Sequence, residues 1–205
     1  MFINRKRGEI NLKIVYYGPP LSGKTTNLQI LHERTPREHR SNLMSVNTEG
    51  DRTLFFDFLQ LEMGKVMGMT PKFKLYTVPG QSYYKASRRL VLQGVDGVVF
   101  VADSAPRRLV ANMISWRSLE EHLTSYGINI HDFPMVVQAN KRDVPDPIPL
   151  SFLTGRLGAK NMPVVESVAM TGQGVTATLK LMVQAILLRN NRLLSQAAAA
   201  ITATP

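Results

Sequence analysis

Gly18, Gly23, Lys24 and Thr25 fall in the order G-x-x-x-x-G-K-T, in the string Gly18-Pro-Pro-Leu-Ser-Gly-Lys-Thr25. Each fixed position suits one part of a polyphosphate. Backbone N–H groups of such a loop point inward around a β-phosphate, the lysine reaches the β- and γ-phosphates, and the threonine hydroxyl is a ligand for Mg²⁺. The nucleotide-binding set on this loop is Gly18, Leu21, Ser22, Gly23, Lys24, Thr25 and Thr26, with Thr25 also a metal ligand. The apolar run 12–17 predicts a buried strand before the loop, and 26–34 predicts a helix after it. The phosphate would then sit at a helix N-terminus. An ordinary glycine turn between strand and helix is the competing reading, and the flanking elements weigh against it.

A second motif, Asn140-Lys-Arg-Asp143, follows the apolar run 135–139. Guanine shows two adjacent donors on its pairing edge, and one carboxylate, that of Asp143, can accept both in a short, charge-assisted pairing. Adenine places an acceptor beside its donor there and would leave one contact repulsive. Asn140 can reach the other edge of the purine, and the Lys141 stem can lie across its face. Alone, this tetrapeptide reads more readily as a polar turn. The phosphate loop upstream and the strand directly before it reverse that judgement.

With both motifs in this order, the chain resembles the Ras-like small GTPases. Thr53-Leu-Phe-Phe-Asp-Phe58, Leu75-Tyr-Thr-Val-Pro-Gly-Gln81 and Gly94-Val-Asp-Gly-Val-Val-Phe-Val-Ala-Asp103 narrow the resemblance to the MglA family of prokaryotic Ras-like GTPases, which set cell polarity and drive gliding. The likeness runs from about residue 10 to about residue 188. It implies a GTP/GDP switch that hydrolyses GTP with Mg²⁺, slowly without a partner, and an activator of the roadblock fold, MglB-like, near the switches. Gln81 becomes the residue that positions the attacking water, and Gly80 offers an N–H to the γ-phosphate. In the polar loop before the second strand, the Thr53 hydroxyl can complete the Mg²⁺ shell and its N–H can touch the γ-phosphate. The resemblance makes Arg52 an arginine finger supplied within the chain, a group contributing ~10³–10⁵ in rate where correctly placed. A surface arginine paired with Glu49 or Asp51 is the other reading of Arg52. Ala169 keeps an N–H for the guanine carbonyl.

Three positions depart from the common pattern. Thr77 stands where most Ras-like proteins carry the aspartate that holds a Mg²⁺-bound water, which leaves the ion to Thr25, Thr53, phosphates and waters. Pro20 replaces a glycine, removing one inward N–H and adding bulk near Gln81. Val168-Ala169-Met170 lacks the hydroxyl that usually supports the base loop.

The elements that must carry these residues follow from the apolar pattern. Strands are expected at 12–17, 53–61, 72–78, 97–102, 134–139 and 163–168, and helices at 24–34, 82–92, 107–126, 150–157 and 174–194. The fold class is α/β: one Ras-like P-loop domain with a six-stranded, mainly parallel sheet, one antiparallel edge strand and about five helices on both faces. Residues 1–9 form a basic arm, 10–195 the GTPase domain and 196–205 a disordered tail.

The 205 residues contain no cysteine, which excludes disulfides and thiolate metal sites and fits a reducing compartment. No apolar run approaches the ~20 residues of a membrane span, and the expected location is the cytoplasm. Net charge is +10, with basic clusters at Arg5-Lys6-Arg7, Arg88-Arg89 and Arg107-Arg108. A solvated basic face and peripheral contact with an anionic inner membrane surface both fit it. Nucleic acid is the weaker reading, since no recognition motif accompanies the charge. A GTP-loaded membrane scaffold with negligible turnover, which Pro20 favours, is the alternative to an active switch. A P-loop ATPase or kinase is disfavoured by Asn140–Asp143. Trp116 is expected in the core, and the four histidines on the surface.

Overall fold

The structure is a computed structural model and describes residues 2–4, 6–47, 55–62, 64, 68–80 and 84–202. Arg52, Thr53 and Gln81 lie outside the described residues. In chain order the elements are β1 Phe2–Asn4, β2 Glu9–Tyr17, α1 Lys24–Arg34, β3 Met44–Asn47, β4 Phe55–Glu62, β5 Thr70–Thr77, α2 Lys85–Leu92, β6 Gly97–Asp103, α3 Leu109–Thr124, β7 Met135–Asn140, α4 Leu150–Leu157, β8 Val164–Glu166 and α5 Val175–Thr202.

The sheet runs β3-β4-β5-β2-β6-β7-β8, with β1 paired antiparallel to the start of β2. Pairings from β5 through β8 are parallel, while β3–β4 and β4–β5 are antiparallel. Among the described residues there are eight strands in place of the six expected. The added β1 and β3 are too short to show a period, and β3 makes β4 an interior strand instead of the edge. Backbone pairing to an existing neighbour specifies such strands, whatever their own pattern. Among the described residues the five α-helices and their order among the longer strands follow the sequence reading, except that α5 runs on to Thr202, into the stretch expected as a disordered tail.

The central strands explain why the apolar runs were so clear. Every residue of β6 and β7 is buried, as expected of parallel strands covered on both faces. Along β2 the side chains divide between two cores. Leu12, Ile14 and Tyr16 pack with Leu28 and Leu31 of α1 and Leu179, Met182 and Ile186 of α5. Val15 and Tyr17 pack with Leu92 of α2, Trp116 and Leu119 of α3 and Leu153 of α4. Trp116 is 3% exposed, meets Phe100 edge to face at 4.9 Å, and donates from Nε1 to Glu120 Oε1 at 3.0 Å. His122 departs from the surface expectation. It follows Trp116 and Leu119 on the inward face of α3, is buried, and its Nδ1 lies 3.2 Å from Tyr17 Oη.

The parallel strands β2, β5, β6 and β7 end on one edge of the sheet, where Gly18, the 77–80 loop, Asp103 and Asn140 emerge. Ligands of open α/β sheets bind at this carboxyl edge.

Candidate functional site: a phosphate loop joined to a base loop

The chain leaves β2 at Tyr17 and enters α1 at Lys24 in six residues, a turn that L-residues alone could not make. Gly18 and Gly23 adopt φ of 150° and 101°. A Cβ on Gly18 would overlap the Val101 carbonyl oxygen, and one on Gly23 would overlap Asn140 Nδ2. Leu21 also takes positive φ, 62°, and its side chain is exposed. Gly23 is the N-cap of α1 and brings no capping side chain, so the first N–H groups of the helix face the loop.

Lys24 is 7% exposed, and its ammonium donates to the Gly18 carbonyl at 3.0 Å and the Pro19 carbonyl at 2.7 Å. Burial pushes its pKa down to about 7, assisted by Arg88 and Arg108 and opposed by the Asp57 carboxylate. A polyphosphate would restore the charge. In the nucleotide- and metal-free protein at pH 8, Lys24 is mostly neutral, so nucleotide binding should take up close to one proton there. At pH 6, where the lysine is already charged, its share should fall towards zero. A phosphate with a second pKa near ~6 is already ionised at pH 8, so calorimetry in buffers of different ionisation enthalpy reads the lysine. Lys24→Arg, always charged, should remove the uptake, and equal uptake in both proteins would contradict this account.

Ser22 Oγ is buried and has no hydrogen-bond partner among the described residues. Thr25 Oγ1 donates to Asp57 Oδ2 at 2.6 Å, and Thr26 is half-buried on the first turn of α1. Gly80 lies directly against the loop, since a Cβ on it would overlap the Pro20 nitrogen and Cα. Pro20 gives its carbonyl to Arg108 Nη2 at 2.6 Å.

Asn140 occupies the centre of the second motif. Its Nδ2 donates to the Ser22 carbonyl at 2.8 Å, and its Oδ1 accepts from Ser167 Oγ at 3.0 Å and Ala169 N–H at 2.9 Å. Its side chain thus ties the phosphate loop to the 167–169 loop, with Ser167 supplying a hydroxyl that the Val168-Ala169-Met170 string lacks. The next residue, Lys141, turns the chain at φ 62° and pairs with Asp103 Oδ2 at 2.7 Å. Arg142 fixes the turn from outside, bonding Glu166 Oε2 and the Ile148 carbonyl, each at 2.7 Å. Asp143 is left exposed. Leu21, Asp103, Arg108 and Lys141 line a cleft of about 380 Å³ between the two motifs. A larger hollow of about 780 Å³, lined by Leu90, His122 and Tyr126 among others, holds no motif residue.

Asp57 is the site residue that the sequence reading missed. Its carboxylate accepts from Thr25, from Thr77 Oγ1 at 2.8 Å and, through Oδ1, from Ser45 Oγ at 2.8 Å. A signal was present: along β4, Asp57 shares its register with the buried Leu59 and Leu61. An acid on a core-facing register must have partners. The basic clusters are also less displayed than their sequence suggests, because Arg88 is buried and Arg108 is turned onto Asp103 and Pro20. Among the described residues no group of His, Asp and Glu side chains is placed to hold a metal by itself. Mg²⁺ would be held by hydroxyls and phosphate oxygens with waters, a donor set that suits it. The oxygens of Thr25 and Asp57 fit that requirement.

A phosphate loop at the head of α1, linked by one asparagine to a base loop after β7, on a doubly wound sheet, defines the class of small P-loop GTPases. The family model described as "ADP-ribosylation factor family" matches residues 2–186. The Mutual gliding-motility protein MglA of Myxococcus xanthus (strain DK1622) is 50% identical over 186 residues, 91% of this chain and 95% of that protein. ADP-ribosylation factor-like protein 6 of Caenorhabditis elegans is 29% identical over 82% of this chain and 83% of its own length, and human ADP-ribosylation factor-like protein 4D is 27% identical over 74% and 68%. The chain belongs to the ADP-ribosylation factor family of Ras-like small GTPases, on the side of MglA.

Proposed function

We propose that this protein is a Mg²⁺-dependent GTP/GDP switch that hydrolyses GTP to GDP and phosphate, slowly until an activating partner binds. The observation that carries this reading is the Asn140 bridge, which sets the phosphate loop and the guanine-reading Asp143 loop around one cleft. Lys24 and the N–H groups of Gly18 and residues 21–26 hold the phosphates, and Thr25 and Thr53 hold the ion. Mg²⁺, when bound, neutralises charge on the β- and γ-phosphates. Gly80 and Thr53 sense the γ-phosphate, Gln81 orients water, and Arg52 offsets charge developing in the transition state. The identity to a gliding-motility protein supports a role in bacterial gliding, and the sequence resemblance adds cell polarity and a roadblock-type, MglB-like activator as partner. The working location is the cytoplasm, with peripheral contact at an anionic membrane surface. Among the described residues no helix is long and apolar enough to cross a membrane.

Purified protein incubated with Mg²⁺ and excess GTP, with ATP in parallel, should release phosphate from GTP alone over hours. Equal release from ATP, or a preference for ATP in competition binding, would overturn the guanine assignment.

The contact of Pro20 with Gly80 favours a second reading, a GTP-bound scaffold at the membrane with negligible turnover. Pro20→Gly restores an inward N–H and removes bulk against Gly80. On the scaffold reading it should raise kcat by roughly tenfold, short of the ~10²–10³ of a fully aimed transition-state donor. No gain, from a wild type that already turns over, would sink the scaffold.

A further inference from the structure

We propose that the buried amide pair Asn27–Gln138 sets the aim of the phosphate loop, which makes both of them positioning residues for the β-phosphate of the nucleotide. The inference rests on reading residues 18–25 as the phosphate site. The residues of β7 alternate between the two cores, and Gln138 shares the α1–α5 side with Val136. Buried amides in such a core need partners at each end. Gln138 Nε2 donates to Asn27 Oδ1 and to Thr178 Oγ1, each at 2.9 Å, and its Oε1 accepts from Asn27 Nδ2 at 2.8 Å. Thr178 in turn donates to the Gly174 carbonyl at 2.8 Å, which anchors the pair to the head of α5. Asn27, Gln138 and Thr178 are all fully buried.

The pair ends on the phosphate loop. Asn27 Nδ2 also donates to the Gly23 carbonyl at 2.9 Å, an oxygen that already accepts the Asn27 N–H at 3.0 Å. In a trans peptide the carbonyl and the following N–H point opposite ways. Fixing the Gly23 oxygen towards Asn27 therefore aims the Lys24 N–H out of the helix head, where the phosphate would sit. Asn140 acts one peptide earlier, since its bond to the Ser22 carbonyl aims the Gly23 N–H. One strand thus sets two consecutive loop peptides, directly through Asn140 and by way of Asn27 through Gln138. Donors aimed in advance need no reordering when the phosphate arrives.

The test compares GDP with GMP, which lacks the β-phosphate, as competitors of a fluorescent GDP. Asn27→Leu combined with Gln138→Met replaces the pair by apolar groups of similar shape and strands no amide, so the fold is kept. In this double variant GDP affinity should fall about tenfold, the effect of one well-made hydrogen bond, while GMP affinity stays within about threefold of wild type. Asn27→Leu alone should give the same loss, because Gln138 acts through Asn27. Gln138→Met alone, which keeps the Gly23 bond but removes its brace, should lose about threefold. Equal weakening of GDP and GMP would show a brace for the whole fold and overturns the inference. Unchanged GDP affinity in the double variant overturns it too, as do single losses that multiply when combined. If a single variant does not fold, the GDP-to-GMP ratio in the double variant decides. A wild type that binds GDP no tighter than GMP is a separate outcome, which removes the phosphate reading of the loop and this inference with it.

Discussion

Asp143→Asn is expected to weaken GDP and GTP binding by about 10²–10⁴-fold and to turn base preference towards xanthine. On the proposed reading the carboxylate accepts from both donors on the guanine edge, while an asparagine amide presents one acceptor and one donor. The amide N–H₂ then faces the exocyclic amino group, donor against donor, and the charge assistance is lost. Sites built around such hydrogen bonds reject the mismatched partner by up to ~10⁴–10⁵, because polar groups are left unpaired. Xanthine carries a carbonyl in place of the amino group and pairs with the amide. Arg142, through Glu166 and the Ile148 carbonyl, holds the turn independently of Asp143, so the fold should survive. Competition of GDP, xanthosine diphosphate and ADP against a fluorescent nucleotide checks the prediction. A variant that still prefers guanine within about threefold of wild type would remove Asp143 as the base reader.

The second large effect has opposite signs in two assays. Lys24→Met should reduce nucleotide affinity by about 10³-fold or more, since it removes the buried cation of the phosphate loop and breaks a charge-assisted pair costing ~3–5 kcal/mol to lose. The same change should stabilise the nucleotide-free protein. The folded-state pKa of Lys24 is lowered to about 7 from 10.5, so the unfolded chain binds more protons across that interval and wild-type stability rises with pH. Below pH 7 the full penalty is present, on the order of 3–5 kcal/mol, and above 10.5 it is gone. Thermal denaturation without nucleotide should place Lys24→Met above wild type at pH 6.5, with the gap closing by pH 10. A variant less stable at pH 6.5 would show that the carbonyl contacts to Gly18 and Pro19 outweigh the burial of the charge.

The longer elements were legible because their residues are decided by burial. The run at 97–102 is apolar throughout and that at 135–139 apolar but for Gln138, whose amide bonds Asn27 and Thr178, since β6 and β7 are covered on both faces; α4 matched its expected bounds, 150–157, with Gly158 in the left-handed region ending it. β3 was not legible: Met-Ser-Val-Asn has no pattern of its own and exists as a strand because β4 presents a free ladder. The phosphate loop and Asn140–Asp143 could be read because each is a contiguous motif. For Asp57 the core-facing register signalled a need for partners but could not name them, because they are Thr25, 32 positions away in the chain, and Thr77, 20 positions away on the neighbouring strand. The same limit hid His122, whose burial depends on the hydroxyl of Tyr17.

The Asn140 side chain has a consequence for nucleotide release. Its three bonds, to Ser22, Ser167 and Ala169, join the loop proposed to grip the phosphates and the loop proposed to grip the base into one mechanical unit. Displacing either loop by more than a hydrogen-bond length strands a buried amide and loosens the other. An exchange factor therefore needs a hold on only one end of the site: prising up the base loop unfastens the phosphates, and pushing on the phosphate loop frees the base. On the proposed switch reading, exchange is expected to be all-or-none, a single latch in place of two independent clasps.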